Sequence, residues 1–539
     1  MKKRTIIAAA LALAMTLTAC GGAAAPAAPA APAAAPSSEA AAPASGEAAA
    51  PAEGNYVDHI VVAIDTMPTN FEPSGNDAPV LNRLVYDELI NYDKVKKELQ
   101  PALATAWEWV SEDATVLHLD LREGVTFHNG NPFTAEDVAY SLDTNVNANI
   151  ANYYDHCDIK GDYSVDIVLK GANADFVNLL TNTLYAGIKD KESCEADPDN
   201  GSAIGTGPWK LDLANTIPGD TIELLVNADY WGEVPVTSQL TLRYISSASS
   251  RLLALQNKEV HAMMAVGETD VPAVQADPNL EFVSGAGVGP AKYYYLAFNM
   301  TNGAAKDNLY LRQAIARAIN NEDVILAVGD MEAEASDGAF WGYDTPFRAS
   351  ASDFQVDLSY NVEEAKALVE KAKEEAGGTL PELHITGNTE KSINMNHILI
   401  IQEACRQIGV DVVIDESDGA GVNAKTKFDA GGYDMIQYNV PLETWPSGVN
   451  RMLVYSTGSN NRALFQSEEI SAMLEEATST SDDARREELY KQVQVYVHDN
   501  AIYVPAYYGS RNGAQLAGVE GIVWSNDGYP EFTYARYAQ

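Results

Sequence analysis

Few side chains in this sequence have the types and spacing that covalent or metal chemistry needs. Four cysteines and eight histidines are scattered singly along the chain, so no ligand set recurs at the spacing of a metal cage. No Gly-x-Ser-x-Gly elbow and no His-Glu-x-x-His pair occurs, which removes two common hydrolase arrangements. Acidic side chains number 76; carboxylate pairs then arise everywhere and carry no signal for acid–base catalysis. The expectation is a chain with no catalytic residue, no metal and no cofactor. One cysteine stands apart by its position. Cys20 follows Leu17-Thr18-Ala19, behind a Lys2-Lys3-Arg4 start and an apolar run from Ile6 to Ala14. Such a run is too short to span a bilayer, and with small residues before a cleavage point it has the layout of an export signal.

The Leu17-Thr18-Ala19-Cys20 order resembles the lipobox of bacterial lipoproteins. That resemblance implies a signal peptide over residues 1–19 and a lipidated mature N-terminus at Cys20. A diacylglyceryl group supplies two chains, the number that gives stable anchoring. The expected place is the extracytoplasmic face of a cytoplasmic membrane. Residues 20–54 then form a linker of almost nothing but Ala, Pro, Ser, Gly and Glu. Without aromatic or β-branched residues it buries too little surface to offset the entropy of ordering, and its prolines keep it extended.

From residue 55 the composition is that of an ordinary globular protein, too long for a single core, so two or three lobes are expected in a monomer. The net charge of −41 repels nucleic acid and anionic lipid headgroups and leaves cationic or zwitterionic ligands compatible. Cys405 lies on an apolar helical face with Ile400, Ile401 and Ile408 and reads as core packing. Cys157 and Cys194 could pair as a disulfide in an oxidising compartment, although their separation is not fixed by sequence.

The elements alternate in type. His59–Ile64 reads as a buried strand followed by a loop over 66–73, Val85–Ile90 as a short helix, and Val116–Leu121 as a strand of period two. Thr134 with Asp137 three residues on resembles a capping box opening a helix. Strands are expected over 221–226, 239–245, 293–299, 382–385, 410–414 and 501–508. Helices are expected from 251 and over 311–319, 362–372, 397–408 and 485–498. Repeated strand–helix–strand order implies an α/β architecture.

The block Leu119-Asp120-Leu121-Arg122-Glu123-Gly124-Val125-Thr126-Phe127-His128-Asn129-Gly130, continued by Pro132-Phe133-Thr134-Ala135-Glu136-Asp137-Val138, closely resembles the signature of family 5 extracellular solute-binding proteins. These are the peptide- and nickel-binding components of ABC importers. Asn129 stands where the usual form has Asp. Gly205-Thr206-Gly207-Pro208-Trp209, Asn227 to Trp231, Arg312-Gln313-Ala314-Ile315, Gly409-Val410-Asp411-Val412, Tyr433-Asp434 and Ser459-Asn460-Asn461 resemble further motifs in the family's order. The signature positions themselves read as structural: glycines at a tight turn, Trp107 and Phe127 in the core, His128 hydrogen-bonded.

The resemblance implies a pear-shaped, periplasmic-binding-protein-like type II fold with two closing lobes and an inserted extra domain. Domain I would take residues 55–96, 205–290 and 505–539, domain II 97–204 and domain III 291–504, with hinge crossings near 286–296 and 498–506. It implies capture of a peptide or other small solute for permease subunits driven by cytoplasmic ATPases. By position within the family pattern, Glu443 would pair a peptide's α-ammonium. Phe71, Trp341, Tyr343, Tyr438 and Trp445 would be cleft aromatics, and Asn70 sits in the 66–73 loop where first-domain contacts fall. Arg348 and Arg451 are candidates for a ligand carboxylate.

Overall fold

Two large mixed sheets carry the chain. The computed structural model describes residues 56–538 except 76–77, 94–95, 97, 112, 268, 285–291, 331–332, 340, 343–344, 427–431, 442–445, 447–460, 510 and 525–528. Cys20 therefore lies outside the described residues. The first sheet has seven strands, in the spatial order Leu280–Ser284, Asn512–Leu516, Ala262–Met264, His59–Ile64, Gln239–Tyr244, Thr221–Val226, Trp209–Leu211. His59–Ile64 has a parallel neighbour on each side, and alternate residues enter different cores. Ile60, Val62 and Ile64 pack on one face and Ala63 on the other, the pattern of a strand covered on both sides.

The second sheet has six strands, ordered Glu334–Ala335, Tyr503–Gly509, Lys292–Phe298, Met435–Pro441, Leu383–Thr386, Val412–Asp415. Parity along Lys292–Phe298 divides its cores. Tyr294, Leu296 and Phe298 pack under the helices Leu309–Ala318, Val362–Glu375 and Ser392–Gln407. Tyr293, Tyr295 and Ala297 pack against Glu468–Ser479 and Asp483–Asp499. Each fully buried aliphatic or aromatic side chain contributes roughly 1.5–3 kcal/mol. Cys405 is fully buried in the first of these cores, as its helical spacing predicts.

A smaller antiparallel sheet, Ala104–Trp109, Val116–Leu121, Ser164–Leu169, Tyr154–Gly161, covers a third core. Leu117, Leu119 and Leu121 face inward from the period-two strand. The capping box is present: the Asp137 carboxylate accepts from the Thr134 backbone N–H at 2.9 Å and its hydroxyl at 3.0 Å. Cys157 and Cys194 are free thiols, so the disulfide that the compartment would allow is absent here. Burial raises both, to about 12 and about 11.

Two expectations are corrected. The short helix is Pro79–Val85; the expected helix over Val85–Ile90 is absent, since beyond Val85 the chain leaves the helix and leads into a strand, Ile90–Asp93. Tertiary capture decides this, because the buried Asp87 carboxylate accepts from the Thr206 hydroxyl at 2.8 Å, Tyr230 OH at 2.8 Å and the Trp231 indole at 2.7 Å. The chain passes between the two large sheets twice, between 284 and 292 and between 509 and 512. The second passage lies beyond the expected 498–506, since Tyr503–Gly509 is a whole strand paired to Lys292–Phe298.

The signature block is structural. His128 Nε2 lies 3.0 Å from Gly207 O, and the His128 backbone N–H donates to Gly205 O at 3.0 Å. Burial lowers the ring to about 4, so it stays neutral at pH 7. A side chain at Gly205 or Gly207 would meet the Val85 backbone within 3 Å, so only glycine allows this approach. Asn129 Nδ2 donates to Asp190 at 2.6 Å and to Ser193 Oγ at 2.8 Å. An amide is needed there because an aspartate would face Asp190 as a like charge.

Candidate functional site

The two passages bring cations to one end of the six-stranded sheet. Lys292 opens its strand opposite Pro441 and Gly509, and Arg511 directly precedes Asn512–Leu516. Burial holds the Lys292 ammonium below its usual range, and the positive charges of Arg511 and Lys391 lower it further, against Asp65 and Asp330. Among the described residues none of these three cations forms an ion pair. The Arg511 guanidinium lies 4.1 Å from the Tyr529 ring centroid, and its Nε has no partner.

Lys391 occupies the N-cap of the helix Ser392–Gln407, whose first turn receives no side-chain cap. Asn308, Asn361, Ser467 and Asp482 do cap their helices. Free N–H groups and the helix dipole make this end positive. Polar atoms are left open close by. Gln437 is 0% exposed with both amide atoms unpaired, and His397 is 1% exposed with both ring nitrogens unpaired. Asn394, in the first turn, donates to Asn388 O at 3.3 Å while its own Oδ1 is open. Burial drives the His397 ring down to about 3, so it is neutral. Buried polar groups without partners cost stability unless something else satisfies them. Parity sets Lys292 and Gln437 on the sheet face that Ser392–Gln407 covers.

On the opposite face Tyr438 is half-buried. Its hydroxyl accepts from Arg462 Nη2 at 2.8 Å, and the guanidinium carbon lies 4.2 Å from its ring centroid. Arg462 also donates to Asn423 Oδ1 at 3.1 Å and to the Thr426 hydroxyl. This guanidinium is 6% exposed and has no carboxylate partner among the described residues.

Several expected contacts fall elsewhere. Trp341 is fully buried with its ring 5.1 Å from Tyr490, so it is a core side chain and not a cleft wall. Arg348 donates to Asp337 at 2.5 Å and to Trp341 O at 3.0 Å; it is spent within its own lobe and is no free carboxylate partner. Phe71 packs partly buried against the core of the seven-stranded sheet. Asn70 is exposed and shapes its loop, its Oδ1 accepting from the Glu72 N–H at 2.8 Å. Glu443, Tyr343, Trp445 and Arg451 lie outside the described residues. Sequence reasoning missed Lys292, Lys391, Arg511, Gln437 and His397. A lone Gln inside the apolar strand Met435–Pro441 is the one local signal that marks them.

No helix among the described residues is long and apolar enough to cross a membrane, and none of their His, Cys, Asp and Glu side chains group as a metal site. The family profile described as "Bacterial extracellular solute-binding proteins, family 5 Middle" matches residues 98–462. Heme-binding protein A of Haemophilus influenzae is 25% identical over 515 residues, covering 86% of this chain and 90% of that protein. The nickel-binding periplasmic protein of Escherichia coli is 27% identical over 474 residues, 79% of this chain and 84% of that protein. The dipeptide-binding protein of Escherichia coli is 25% identical over 485 residues, 82% and 88%. The crystal structure of the ABC transporter substrate-binding protein CtaP from Listeria monocytogenes superposes with a TM-score of 0.78 at 20% identity, covering 90% of this chain and 99% of that one. With the profile spanning more than half its length, this chain belongs to the family 5 extracellular solute-binding proteins, the extracytoplasmic, non-enzymatic receptors of ABC importers.

Proposed function

We propose that this receptor captures short peptides and is held to the outer face of the cytoplasmic membrane by a lipid on Cys20. The observation that carries the peptide reading is the set of unpaired side-chain atoms, both amide atoms of Gln437 and the Oδ1 of Asn388 and of Asn394, near the strand Met435–Pro441. A peptide backbone offers alternating N–H and C=O groups that satisfy such atoms, as in strand addition. The likeness to a dipeptide-binding protein supports the same class. Glu443 would pair the α-ammonium, with Tyr343, Tyr438 and Trp445 as cleft aromatics and the loop of Asn70 and Phe71 contributing from the first lobe.

Domain I would hold the seven-stranded sheet, domain II the small antiparallel sheet, and domain III the six-stranded sheet. Closure about the two passages would follow from higher ligand affinity in the closed state. The linker of residues 20–54 would keep a released receptor near its permease and raise its effective concentration there. Denaturing the purified protein and identifying the released solute by mass spectrometry tests the ligand. Peptides are expected. Recovery of haem, a chelated metal or sugars alone would sink the peptide reading.

A further inference from the structure

We infer that Lys189 is the positioning residue for the first-lobe loop of Asn70 and Phe71, and that the family signature block serves to aim it. This rests on the reading above that the loop meets the solute, and it names what holds the loop in place. Lys189 belongs to the unit of the small antiparallel sheet and is 3% exposed. Its ammonium meets Glu72 Oε2 at 2.5 Å, across 117 residues of chain. The other oxygen, Glu72 Oε1, accepts from Ser74 Oγ at 2.9 Å, and the Glu72 N–H donates to Asn70 Oδ1 at 2.8 Å. One carboxylate thus ties the turn on both of its sides to a cation from another unit. Ser74 Oγ accepts in turn from the Val146 N–H at 3.2 Å, a second tie to that unit. Desolvating so buried an ammonium costs free energy that an apolar side chain would not. What the pair adds beyond packing is a fixed direction for the loop.

The signature block grips three consecutive residues at the base of this contact. Ser141 Oγ, on the helix the block opens, accepts from the Lys189 N–H at 3.0 Å. The Asp190 carboxylate accepts from Asn129 and Asn131 at 2.6 and 2.9 Å. Asp137 accepts from the Lys191 N–H at 3.1 Å, and Glu136 pairs with the Lys191 ammonium at 2.8 Å. The Tyr140 ring, its centroid 5.7 Å from the Lys189 ammonium, flanks the side chain. The Gly-Thr-Gly turn acts on the same loop through Tyr86. A side chain at Gly205 would come within 2.7 Å of the Tyr86 ring, and Tyr86 OH lies 2.6 Å from Phe71 O and 2.5 Å from Ser202 O. Asn82 donates to Pro73 O at 3.0 Å. The carbonyls of residues 71 and 73 and the carboxylate between them are therefore held by three side chains from outside the loop. Asn70, exposed, and Phe71, half-buried, stand at its open end. Two motifs that are structural in themselves converge on one loop.

The test uses the full chain, unfolded and refolded to strip retained solute. Hydrogen exchange read by mass spectrometry follows the amides of residues 71–75, and the probe solute is a pancreatic digest of casein, titrated by its effect on Tm. Lys189→Met leaves Glu72 without its cation, whereas Lys189→Met with Glu72→Gln removes both charges and should regain most of the stability. In the double variant the loop amides should still exchange about ten-fold faster than in the wild type, while those of Val116–Leu121 keep their rates. About ten-fold more digest should be needed for half of the Tm rise. If exchange and binding recover together with stability, the pair is merely structural and the inference is overturned. Faster loop exchange with unchanged digest binding also overturns it, because the loop then stands outside the site. If the wild type takes up no peptide from the digest while the loop loosens in the double variant, Lys189 stands as the loop's anchor and the peptide reading fails.

Discussion

The Asp87 carboxylate accepts the Trp231 indole N–H at 2.7 Å, and that bond joins two family motifs through a residue belonging to neither. Tyr230 and Thr206 donate to the same carboxylate, so the Gly-Thr-Gly turn and the Asn-x-x-Tyr-Trp segment share one buried acceptor.

Removing the acceptor leaves three buried donors unpaired. Asp87→Ala should cost about 3 kcal/mol or more, at ~1–3 kcal/mol for each stranded donor less relaxation. Tyr230→Phe removes one donor and should cost only about 1 kcal/mol. Urea unfolding measures both. Equal, sub-kilocalorie losses would show that this junction is held by apolar packing instead.

Glu88 should make stability fall as pH rises. Burial, reinforced by the neighbouring Asp87 charge, raises its carboxyl from 4.5 to about 7. The folded state therefore holds the proton more tightly than the unfolded chain. Its contribution is fully present below the unfolded value of 4.5 and is lost as pH climbs to about 7. The full shift corresponds to about 3 kcal/mol, reduced because this side chain keeps some solvent contact. Glu88→Gln should flatten the stability profile between these limits and leave the protein more stable near pH 8. A variant profile parallel to the wild type would assign the dependence to other groups.

Asn129→Asp restores the residue usual in the family and should nevertheless destabilise this chain. Asn129 donates to Asp190 and Ser193; an aspartate would lose those donors and set two carboxylates at hydrogen-bond distance. A cost of about 1–3 kcal/mol is expected near neutral pH. It should shrink as pH falls below the carboxylate range, because a crowded acid has a raised folded value and takes up a proton that restores a donor. Thermal melts at neutral and acid pH give the comparison, and a pH-independent cost would point to shape in place of charge.

Local pattern made much of the architecture legible. Thr221–Val226 and Val116–Leu121 are strands because β-branched and alternating apolar residues fit a pleated face, and Asp483–Asp499 is a helix where its periodicity says so. The segment after Val85 was not legible, since Asp87 is drawn out of a helix by donors more than a hundred residues away. The same reason hid the unpaired cations near the end of the six-stranded sheet. Lys292 reads as the polar start of an aromatic strand, and only the return of the chain at Arg511 makes it one of a cluster. Aromatic type alone misled at Trp341, because size and ring chemistry do not tell which side of a lobe a side chain faces.

Arg486 supplies the last prediction. Its guanidinium meets the fully buried Asp175 carboxylate, which also accepts from Tyr490 OH at 3.1 Å. Asp175 precedes a short helix in the core of the small antiparallel sheet, whereas Arg486 and Tyr490 lie on the long helix Asp483–Asp499 beside the six-stranded sheet. The Ala174 N–H donates to Thr478 O at 2.7 Å alongside, so the pair crosses between two cores. Arg486→Met strands a buried charge and should cost about 3–5 kcal/mol, while Asp175→Asn with Arg486→Met should recover most of it. Recovery is expected because the pair's own attraction largely offsets its desolvation; the single-variant loss measures the unpaired carboxylate. If the double variant is as unstable as the single one, the crossing is held by the pair itself. Loss of solute affinity in a well-folded double variant would then tie this contact to closure of the lobes.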